Sequence, residues 1–322
     1  MHKIPVIIDT DPGIDDFFAL AVAAASDKLD IRAITPVAGN QTYEKVCRNV
    51  ENIRQLFRMD GVRIATGAKC PLVSAQRTAG NVHGEDGLGG VILPKAQQKA
   101  ESTYAWDVIY EEAKRAQGRL QIAALGPLTN IAIAVLKYPD LPSMIDKLFV
   151  MGGTNGFGNV SPYAEFNIWA DPHAADIVFC CGIKTVNMVG LNLTRQAILD
   201  IPEYRRVFSA AGDGLLGKIV TQLIDYLGTR AHGLGNTAMT LHDAIVTAAM
   251  SDDKLITYFP SYVRVECQSE NAFGQTVVFA GNGNRVLEQG EPNVNVADTL
   301  DLERFKSTLS ASLEKLKGRV AL

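Results

Sequence analysis

Residues 5–25 read PVIIDTDPGIDDFFALAVAAA, and the fold assignment starts from them. The run Pro5–Ile8 is short and apolar, which is typical of a buried strand. Pro12 and Gly13 end that strand, and Asp15–Ala25 has the length and apolar content of a helix. A strand that leads through a short turn into a helix predicts the first part of a βαβ unit.

Apolar runs and amphipathic segments alternate over the next part of the chain. Further strands are predicted at Ile31–Val37, Val62–Ala65, Leu120–Leu125, Lys147–Met151 and Thr185–Val189. Further helices are predicted at Tyr43–Phe57, Ala105–Ala116, Leu128–Leu136 and Pro172–Cys180. This alternation predicts an α/β fold with an open, mostly parallel sheet that is covered by helices on both faces.

The last third of the chain has a different pattern and predicts a small C-terminal β/α addition. Its predicted helices are Leu215–Gly228, Leu241–Met250 and Leu302–Lys317, and its predicted strands are Tyr262–Cys267, Gln275–Phe279 and Val294–Asp298. The glycine-rich stretches are predicted to form surface loops, at Gly84–Gly90, Gly152–Gly158 and Gly228–Gly235. Because the sequence shows no repeat and no linker, we expect residues 1–322 to form a single domain.

Composition and charge narrow the range of partners. The chain has 322 residues, of which 47% are hydrophobic and 20% charged, as expected for a folded protein. Lys and Arg number 31 against 35 Asp and Glu, so no basic surface is implied, and neither nucleic acid nor an anionic membrane is expected as a partner. The five cysteines include no C-x-x-C pair, which argues against a disulfide framework or a thiolate zinc site. With no membrane span in the sequence, we expect a cytoplasmic protein.

Four carboxylates follow the first strand within eight residues: Asp9, Asp11, Asp15 and Asp16. Like charges at a strand end repel one another, and burying them costs free energy unless a cation or a ligand compensates. A hard cation that prefers oxygen ligands, such as Ca²⁺ or Mg²⁺, would provide that compensation. The alternative is a polar turn whose aspartates cap the helix. The spacing does not fit an EF-hand, because Gly13 and Leu20 would occupy loop positions that require a polar ligand and Glu.

Two other functions are compatible with this cluster. A Mg²⁺-dependent phosphohydrolase of the haloacid dehalogenase type would use Asp9 as nucleophile and Asp11 as acid. That motif has Thr or Val where this chain has Gly13, and the only candidates for its downstream acidic pair, Asp252 and Asp253, follow a helix. A non-catalytic protein that binds a nucleoside or a sugar is the second alternative.

Polar residues also follow the other predicted strands, where ligands bind in open α/β sheets. They include Asn40, His83, Thr129, Asn130, Asn159, Glu165 and Asn167, and a His242–Asp243 pair begins a later apolar helix. Neutral amides and a carboxylate suit a ligand with many hydroxyl groups, such as a sugar. The chain has neither G-x-G-x-x-G nor a P-loop motif, so a dinucleotide or nucleotide phosphate cradle is excluded.

With these motifs, the sequence resembles the inosine-uridine-preferring nucleoside hydrolase family over most of its length. The family's DxDPGxDD run corresponds to Asp9–Asp16. Six further blocks match in family order: Val37–Asn40, His83–Glu85, Gly126–Asn130, Val150–Gly153, Ala164–Asn167 and His242–Asp243. The resemblance implies a Rossmann-like nucleoside hydrolase fold and Ca²⁺-dependent hydrolysis of the N-glycosidic bond of purine or pyrimidine ribonucleosides, which gives ribose and free base.

The resemblance also implies roles for particular residues. Asp11, Asp16 and Asp243 would bind Ca²⁺ through their carboxylates, and Thr129 through its backbone carbonyl. Asp11 would activate the metal-bound water, and His242 would protonate the leaving base, with His83 near the sugar and its 5′-hydroxyl. The substrate would be held by Asp15, Asn40, His83, Asn159, Glu165, Phe166 and Asn167. Carboxylates beside the sugar would stabilise its oxocarbenium-like transition state.

The chain departs from the family pattern at a few positions. Asn192 replaces the usual Asp of a Gly-Leu-Asp-Leu-Thr block, and Asp86 lies in the block that begins with His83. In the stretch Tyr226–Met239, which corresponds to the region over the base, Tyr226 is the one obvious stacking aromatic. The preferred base is therefore left open. Family resemblance implies a homodimer or a homotetramer, and composition does not decide between them.

Overall fold

A computed structural model describes residues 3–233, 238–280 and 290–320 of the chain. The strands in these residues are β1 Ile4–Thr10, β2 Leu29–Pro36, β3 Arg63–Ile64, β4 Leu120–Ala124, β5 Ile145–Met151, β6 Val186–Val189, β7 Leu199–Asp200, β8 Ala238–Met239, β9 Ile256–Val265, β10 Thr276–Ala280 and β11 Val294–Leu300. The helices are α1 Ile14–Ala25, α2 Tyr43–Leu56, α3 Gly80–His83, α4 Ala105–Ala116, α5 Thr129–Lys137, α6 Phe166–Ala170, α7 Pro172–Cys180, α8 Leu191–Thr194, α9 Ile201–Phe208, α10 Leu215–Gly233, α11 His242–Ser251 and α12 Leu302–Val320.

Nine of these strands form one sheet, in the order β10-β9-β11-β6-β5-β4-β1-β2-β3. The seven strands from β11 to β3 pair in parallel, and β9 is antiparallel to both β10 and β11. The predicted α/β class, with an open and mostly parallel sheet, is confirmed. The antiparallel strands β9 and β10 belong to the C-terminal addition that the sequence predicts.

Successive side chains of a strand point to opposite faces of the sheet, and helices cover both faces, so the sheet is buried on both sides. On β1, Ile8 packs into a core with α1, α2 and α9 to α12, whereas Ile7 packs into a second core with α4, α5 and α7. Phe17 and Phe18 belong to the first core. The ring of Phe18 stacks on Phe208 of α9, with 4.6 Å between the ring centroids. These two phenylalanines therefore stabilise the packing of α1.

The order of the strands determines where a ligand can bind. From β1 the chain continues outward to β2 and β3 on one side, and it then returns to β4 on the other side of β1. Crevices in doubly wound sheets open where the strand order reverses in this way, at the carboxyl ends of the two strands. That point is occupied by Asp9–Asp11 at the end of β1 and by the Gly126–Thr129 turn after β4.

Two expectations for the later part of the chain are wrong in detail. The stretch Gly228–Gly235 is not a loop over its described part, because α10 continues to Gly233; residues 234 and 235 lie outside the described residues. A Cβ at Gly228 would lie 3.2 Å from Cγ1 of Ile201, so the small residue allows α10 to pack closely against the start of α9. Strand β9 begins at Ile256, six residues earlier than predicted.

In the part of the chain that the structure describes, no helix is long and apolar enough to span a membrane.

Candidate active site

A cavity of about 530 Å³ opens at the carboxyl ends of the central strands. Nine of the twelve predicted site residues line it: Asp15, Asn40, His83, Asn159, Glu165, Phe166, Asn167, His242 and Asp243. The other three, Asp11, Asp16 and Thr129, are buried and do not line the cavity. The fold thus brings these nine residues together around one space from six separate segments of the chain.

Asp16 is held in place by the turn that precedes α1. Its Oδ1 accepts a hydrogen bond from Thr10 Oγ1 at 2.5 Å, and its Oδ2 accepts one from the Gly13 backbone N–H at 2.9 Å. The second bond caps the first turn of the helix, where negative charge is favourable. Burial nevertheless raises the pKa of Asp16 to about 6, and the neighbouring Asp15 adds to this effect.

Asp11 lies between two turns that approach its carboxylate closely. Its Oδ2 accepts a hydrogen bond from the backbone N–H of Asn40 at 2.6 Å. A Cβ at Gly126 would lie 2.7 Å from its Oδ1, and a Cβ at Gly39 would also collide with the carboxylate. Glycine is therefore needed on both sides of Asp11. Burial raises the pKa of Asp11 well above its usual value, and the negative charge of Asp16 raises it further.

Asp9 is fully buried and is held by hydrogen bonds. Its Oδ2 accepts hydrogen bonds from Thr35 Oγ1 at 2.6 Å and from Asn130 Nδ2 at 2.8 Å. Burial raises its pKa to about 7. Asp9, which a phosphohydrolase of the haloacid dehalogenase type would use as its nucleophile, does not line the cavity. The acidic pair that such an enzyme requires, Asp252–Asp253, follows the far end of α11.

Asp15, Asp16 and Asp243 form a close group of carboxylates, whose ligand atoms lie within 4.8 Å of one another. The helices α1 and α11 pack against each other, so the acidic first turns of both helices meet. Burial raises the pKa of Asp243 well above its usual value, with Asp15 as the next largest cause. Asp15 thus belongs to this group, whereas the resemblance to the family assigns Asp11 to the metal set.

Several carboxylate oxygens in the cluster lack a protein donor. Oδ1 of Asp9, Asp11 and Asp15 is buried with no hydrogen-bond partner among the described residues. Buried polar atoms without partners are rare and costly in folded proteins. A cation bound among these carboxylates would neutralise their charges, so the donor set fits a hard metal ion.

His83 is held in one tautomer by the backbone. Its Nδ1 accepts a hydrogen bond from the Ile14 N–H at 3.2 Å, and burial lowers its pKa to about 4. A backbone N–H can only donate, so the proton of the neutral ring is on Nε2. His83 ends helix α3, and its Nδ1 lies 3.9 Å from Asp15 Oδ1. The ring can therefore donate a hydrogen bond to a ligand in the cavity.

His242 is the first residue of α11, and its Nδ1 lies 2.8 Å from Thr194 Oγ1. Burial lowers the pKa of His242, whereas the negative charge of Asp15 acts in the opposite direction. The other ring nitrogen, Nε2, is not engaged by a hydrogen bond among the described residues. His242 can therefore present Nε2 to a ligand while Thr194 holds Nδ1.

Glu165 and Asn167 are held by the backbone at the start of α6. Glu165 accepts hydrogen bonds from the backbone N–H groups of Asn167, Ile168 and Gly153, at 2.9, 3.2 and 3.0 Å. Burial raises its pKa to about 7. Asn167 uses both protons of Nδ2 on the carbonyls of Leu125 and Met151, at 2.7 and 3.1 Å. Its Oδ1 is thereby left to accept from a ligand hydroxyl group.

The remaining predicted residues differ in their burial. Asn40 is buried after β2, while Asn159 is exposed on the loop between β5 and α6. Phe166 is half-buried beside Glu165. Thr129 begins α5, and its Oγ1 donates a hydrogen bond to Asp171 at 2.7 Å, so its hydroxyl is not available to a ligand.

Sequence reasoning missed the apolar part of the cavity. It is formed by Leu125, Met151, Val160, Trp169, Leu227, Met239 and Leu241. The guanidinium of Arg77 lies 3.8 Å from the centre of the Trp169 ring, which links the loop before α3 to α6. Tyr226 does not line the cavity but packs against Gly89, and its helix contributes Leu227 instead. Neither contact has a signal in the sequence, because the partners lie far apart along the chain.

The two departures from the family pattern have local structural roles. Asn192 donates from Nδ2 to the Ala297 carbonyl at 2.7 Å, which ties α8 to β11. Asp86 accepts hydrogen bonds from the backbone N–H groups of Leu88 and Gly90, both at 3.0 Å, and so closes the turn after His83. Neither side chain lines the cavity.

Comparisons with known proteins show the family of this chain. The family model described as "Inosine-uridine preferring nucleoside hydrolase" matches residues 6–307. The pyrimidine-specific ribonucleoside hydrolase RihA of Salmonella paratyphi A is 36% identical over 313 residues, which cover 97% of this chain and 98% of that protein.

Solved structures of two relatives share the whole fold. A plant nucleoside hydrolase, the PpNRh1 enzyme, superposes with a TM-score of 0.89 at 33% identity and covers 97% of this chain and 99% of its own. A purine-preferring ribonucleoside hydrolase from Gardnerella vaginalis gives a TM-score of 0.88 at 28% identity, with the same coverage. The chain therefore belongs to the inosine-uridine preferring nucleoside hydrolase family, enzymes that hydrolyse the N-glycosidic bond of nucleosides.

Proposed function

We propose that this enzyme is a Ca²⁺-dependent ribonucleoside hydrolase that prefers pyrimidine nucleosides and uses Asp11 and His242 on opposite sides of the scissile bond. The observation that carries the proposal is the polarity of the cavity. Carboxylates line it at Asp15, Glu165 and Asp243, amides line it at Asn40, Asn159 and Asn167, and apolar side chains line it as well. Carboxylates and amides would bind the hydroxyl groups of a ribose, and the apolar side chains would contact a flat base.

The sugar would be held by groups whose other hydrogen bonds are already made. Asn167 offers Oδ1 as an acceptor, and His83 offers the Nε2 proton as a donor. Glu165 is fixed by three backbone N–H groups and has lone pairs left for hydroxyl groups. Asp15, Asn40 and Asn159 also line the cavity. Such pre-positioned groups cost little entropy when the substrate binds.

The cation is proposed to be Ca²⁺ because of the number and type of oxygen atoms available. Ca²⁺ accepts six to eight oxygen ligands in flexible geometry, whereas Mg²⁺ requires a nearly ideal octahedron. Asp11, Asp16 and Asp243 would supply carboxylates, and Thr129 would supply its backbone carbonyl. When bound, the cation would hold the ribose hydroxyl groups and the attacking water in place.

Asp11 would take the proton of the attacking water, and His242 would protonate the leaving base. Fixing the reacting groups in this geometry is worth several orders of magnitude in rate. As the base departs, positive charge develops on the sugar, and the carboxylates of Asp11 and Asp15 stabilise that charge electrostatically. General acid catalysis typically contributes about 10²–10⁴-fold.

The preference for pyrimidines is supported by the relatives at 36% identity, which are named as pyrimidine-specific. The apolar wall of Trp169, Leu227 and Met239 would contact the faces of the base. We also propose that the enzyme is a homodimer or a homotetramer, which light scattering would decide.

The test is to incubate the enzyme with uridine, cytidine and inosine and to measure ribose and free base. We expect both products in equal amounts, with the highest kcat/KM on uridine or cytidine. Asp11→Ala should abolish turnover and keep the fold. If nucleosides bind tightly but no base is released, the protein is a binder instead; if phosphate is released from a nucleotide, the phosphohydrolase alternative holds.

A further inference from the structure

Thr194 is a buried threonine. Among the described residues, its hydroxyl group has one hydrogen-bond partner, the ring of His242. It ends helix α8, which follows β6 directly and packs against α11. Its backbone N–H is used within α8, on the carbonyl of Gly190 at 3.0 Å. The hydroxyl group of Thr194 is thus engaged with the ring of His242 and not with the backbone of its own helix.

We propose that Thr194 is a positioning residue for His242, which rests on the role of that histidine in the proposed function. The Thr194 Oγ1 to His242 Nδ1 distance of 2.8 Å is that of a hydrogen bond. With Nδ1 held, the ring can present only Nε2 to the cavity. Thr194 thus sets which nitrogen of the ring faces the leaving base.

A hydroxyl group suits this task because it can both donate and accept a hydrogen bond. When the cationic ring protonates the base, the Nε2–H bond breaks, its electron pair stays on Nε2, and a new N–H bond forms on the base. The ring is left neutral, and its Nδ1–H still donates to Thr194 Oγ1. When the neutral ring carries its proton on Nε2 instead, the hydroxyl group donates to Nδ1. The contact therefore persists in each of these states.

Threonine also holds its hydroxyl group in a fixed direction. Its β-branched side chain is stiff at χ1, and the residue is fully buried, so the hydroxyl group has little freedom to turn away. Without it, the imidazole would lose the bond that orients it, and the ring could flip or shift. A misplaced ring would affect the step that needs a proton and would leave binding of the sugar intact.

The experiment compares Thr194→Val, which keeps the shape and removes the hydroxyl group, with Thr194→Ser, which keeps the hydroxyl group. Thr194→Ala is a second variant without the hydroxyl group, in case Thr194→Val does not fold. Each is assayed on uridine and on p-nitrophenyl riboside, whose leaving group departs without a proton. We expect Thr194→Val to lower kcat on uridine by about tenfold, with KM and the rate on the nitrophenyl riboside unchanged. Thr194→Ser should retain wild-type rates.

His242→Ala separates failure of this inference from failure of the proposed function. If His242→Ala lowers the rates on both substrates equally, His242 is not the acid, and the proposed role of Thr194 is wrong as well. If His242→Ala lowers the rate on uridine alone but Thr194→Val does not, His242 is the acid and the positioning role of Thr194 is wrong. In the His242→Ala background, Thr194→Val should have no further effect on uridine. A further loss there would show that Thr194 acts on something other than His242.

Discussion

Replacing Gly126 by alanine should misplace Asp11 while leaving every polar group of the site present. A methyl group at Gly126 would lie 2.7 Å from Asp11 Oδ1 and 2.9 Å from Val37 Cγ1. Ordinary van der Waals contact begins at 3.4 Å, so the carboxylate would have to retreat by about 0.7 Å. A displacement of about 1 Å at a catalytic centre can cost about 10²-fold in rate. We therefore expect Gly126→Ala to lower kcat by about 10- to 100-fold.

The same substitution should cost about 1–3 kcal/mol of stability through crowding, which lowers Tm by a few degrees. The backbone at Gly126 has an ordinary φ, so the effect comes from the methyl group and not from backbone strain. Gly214→Ala is the matched control, because a Cβ at Gly214 meets nothing within 4 Å. The assay is ribose release from uridine, with Tm measured in parallel. Wild-type kcat in a folded Gly126→Ala variant would show that the position of Asp11 does not matter.

Three further predictions follow from the charges of the site. First, burial raises the pKa values of Asp9 and Asp16 from 3.8 to about 7 and about 6, so the stability that their neutral forms contribute is fully present below pH 3.8 and is lost progressively until pH passes the folded pKa values. The Tm of the cation-free protein should fall as pH rises across this window, and added Ca²⁺ should raise Tm more at pH 8 than at pH 5. Equal Ca²⁺ shifts at both pH values would contradict a carboxylate site. Second, Asp11→Asn should weaken Ca²⁺ binding in calorimetry, whereas Asp15→Asn should leave Ca²⁺ binding unchanged and raise KM. Weaker Ca²⁺ binding in Asp15→Asn, with unchanged binding in Asp11→Asn, would place Asp15 and not Asp11 on the cation. Third, Glu165→Gln should raise KM by about tenfold or more, because an amide NH₂ would face a backbone N–H of Gly153, Asn167 or Ile168; an unchanged KM would show that Glu165 does not hold the sugar.

Local sequence patterns were sufficient for the parallel part of the sheet. The turn with Pro12 and Gly13 between an apolar strand and an apolar helix specifies both elements, and the later alternation repeats the pattern. The strand that was predicted too short is β9, which contains Pro260. Proline lacks a backbone N–H and argues against a strand interior. Among the described residues, the pairs between β9 and β10 run from Ser261, the residue after Pro260, to Val265.

Helix α9 shows a signal that was present but overlooked. Asp200 caps its first turn by accepting from the Glu203 N–H at 2.8 Å, with Pro202 at the start of the helix. An aspartate followed by proline and glutamate is a recognisable start of a helix. Gly228 inside α10, in contrast, allows α9 to pack closely against it, which is a tertiary effect that no local pattern contains.

Part of the candidate site could be predicted from the strand pattern, because Asp11 follows β1 and Asn40 follows β2 of the parallel sheet. The roles of His242 and Asp243, which begin α11, were implied by the family resemblance. The hydrogen bonds of the site could not be predicted in the same way. Thr194 and His242 are 48 residues apart, and Arg77 and Trp169 are 92 residues apart. Only the packing of α8 on α11 and of the loop before α3 on α6 brings these pairs into contact. The block Gly190–Thr194 was noted for Asn192, while its functional candidate is Thr194.

The dependence of hydrolysis on a cation in the buried carboxylate cluster is tested most directly by a Ca²⁺ titration of the stripped enzyme. Binding would be followed by calorimetry, and ribose release from uridine would be measured at each point of the titration. We expect one Ca²⁺ to bind per chain and ribose release to rise with occupancy along the same curve. Full ribose release from enzyme without a bound cation, or release that does not follow occupancy, would contradict the assignment of the carboxylates as the catalytic metal site.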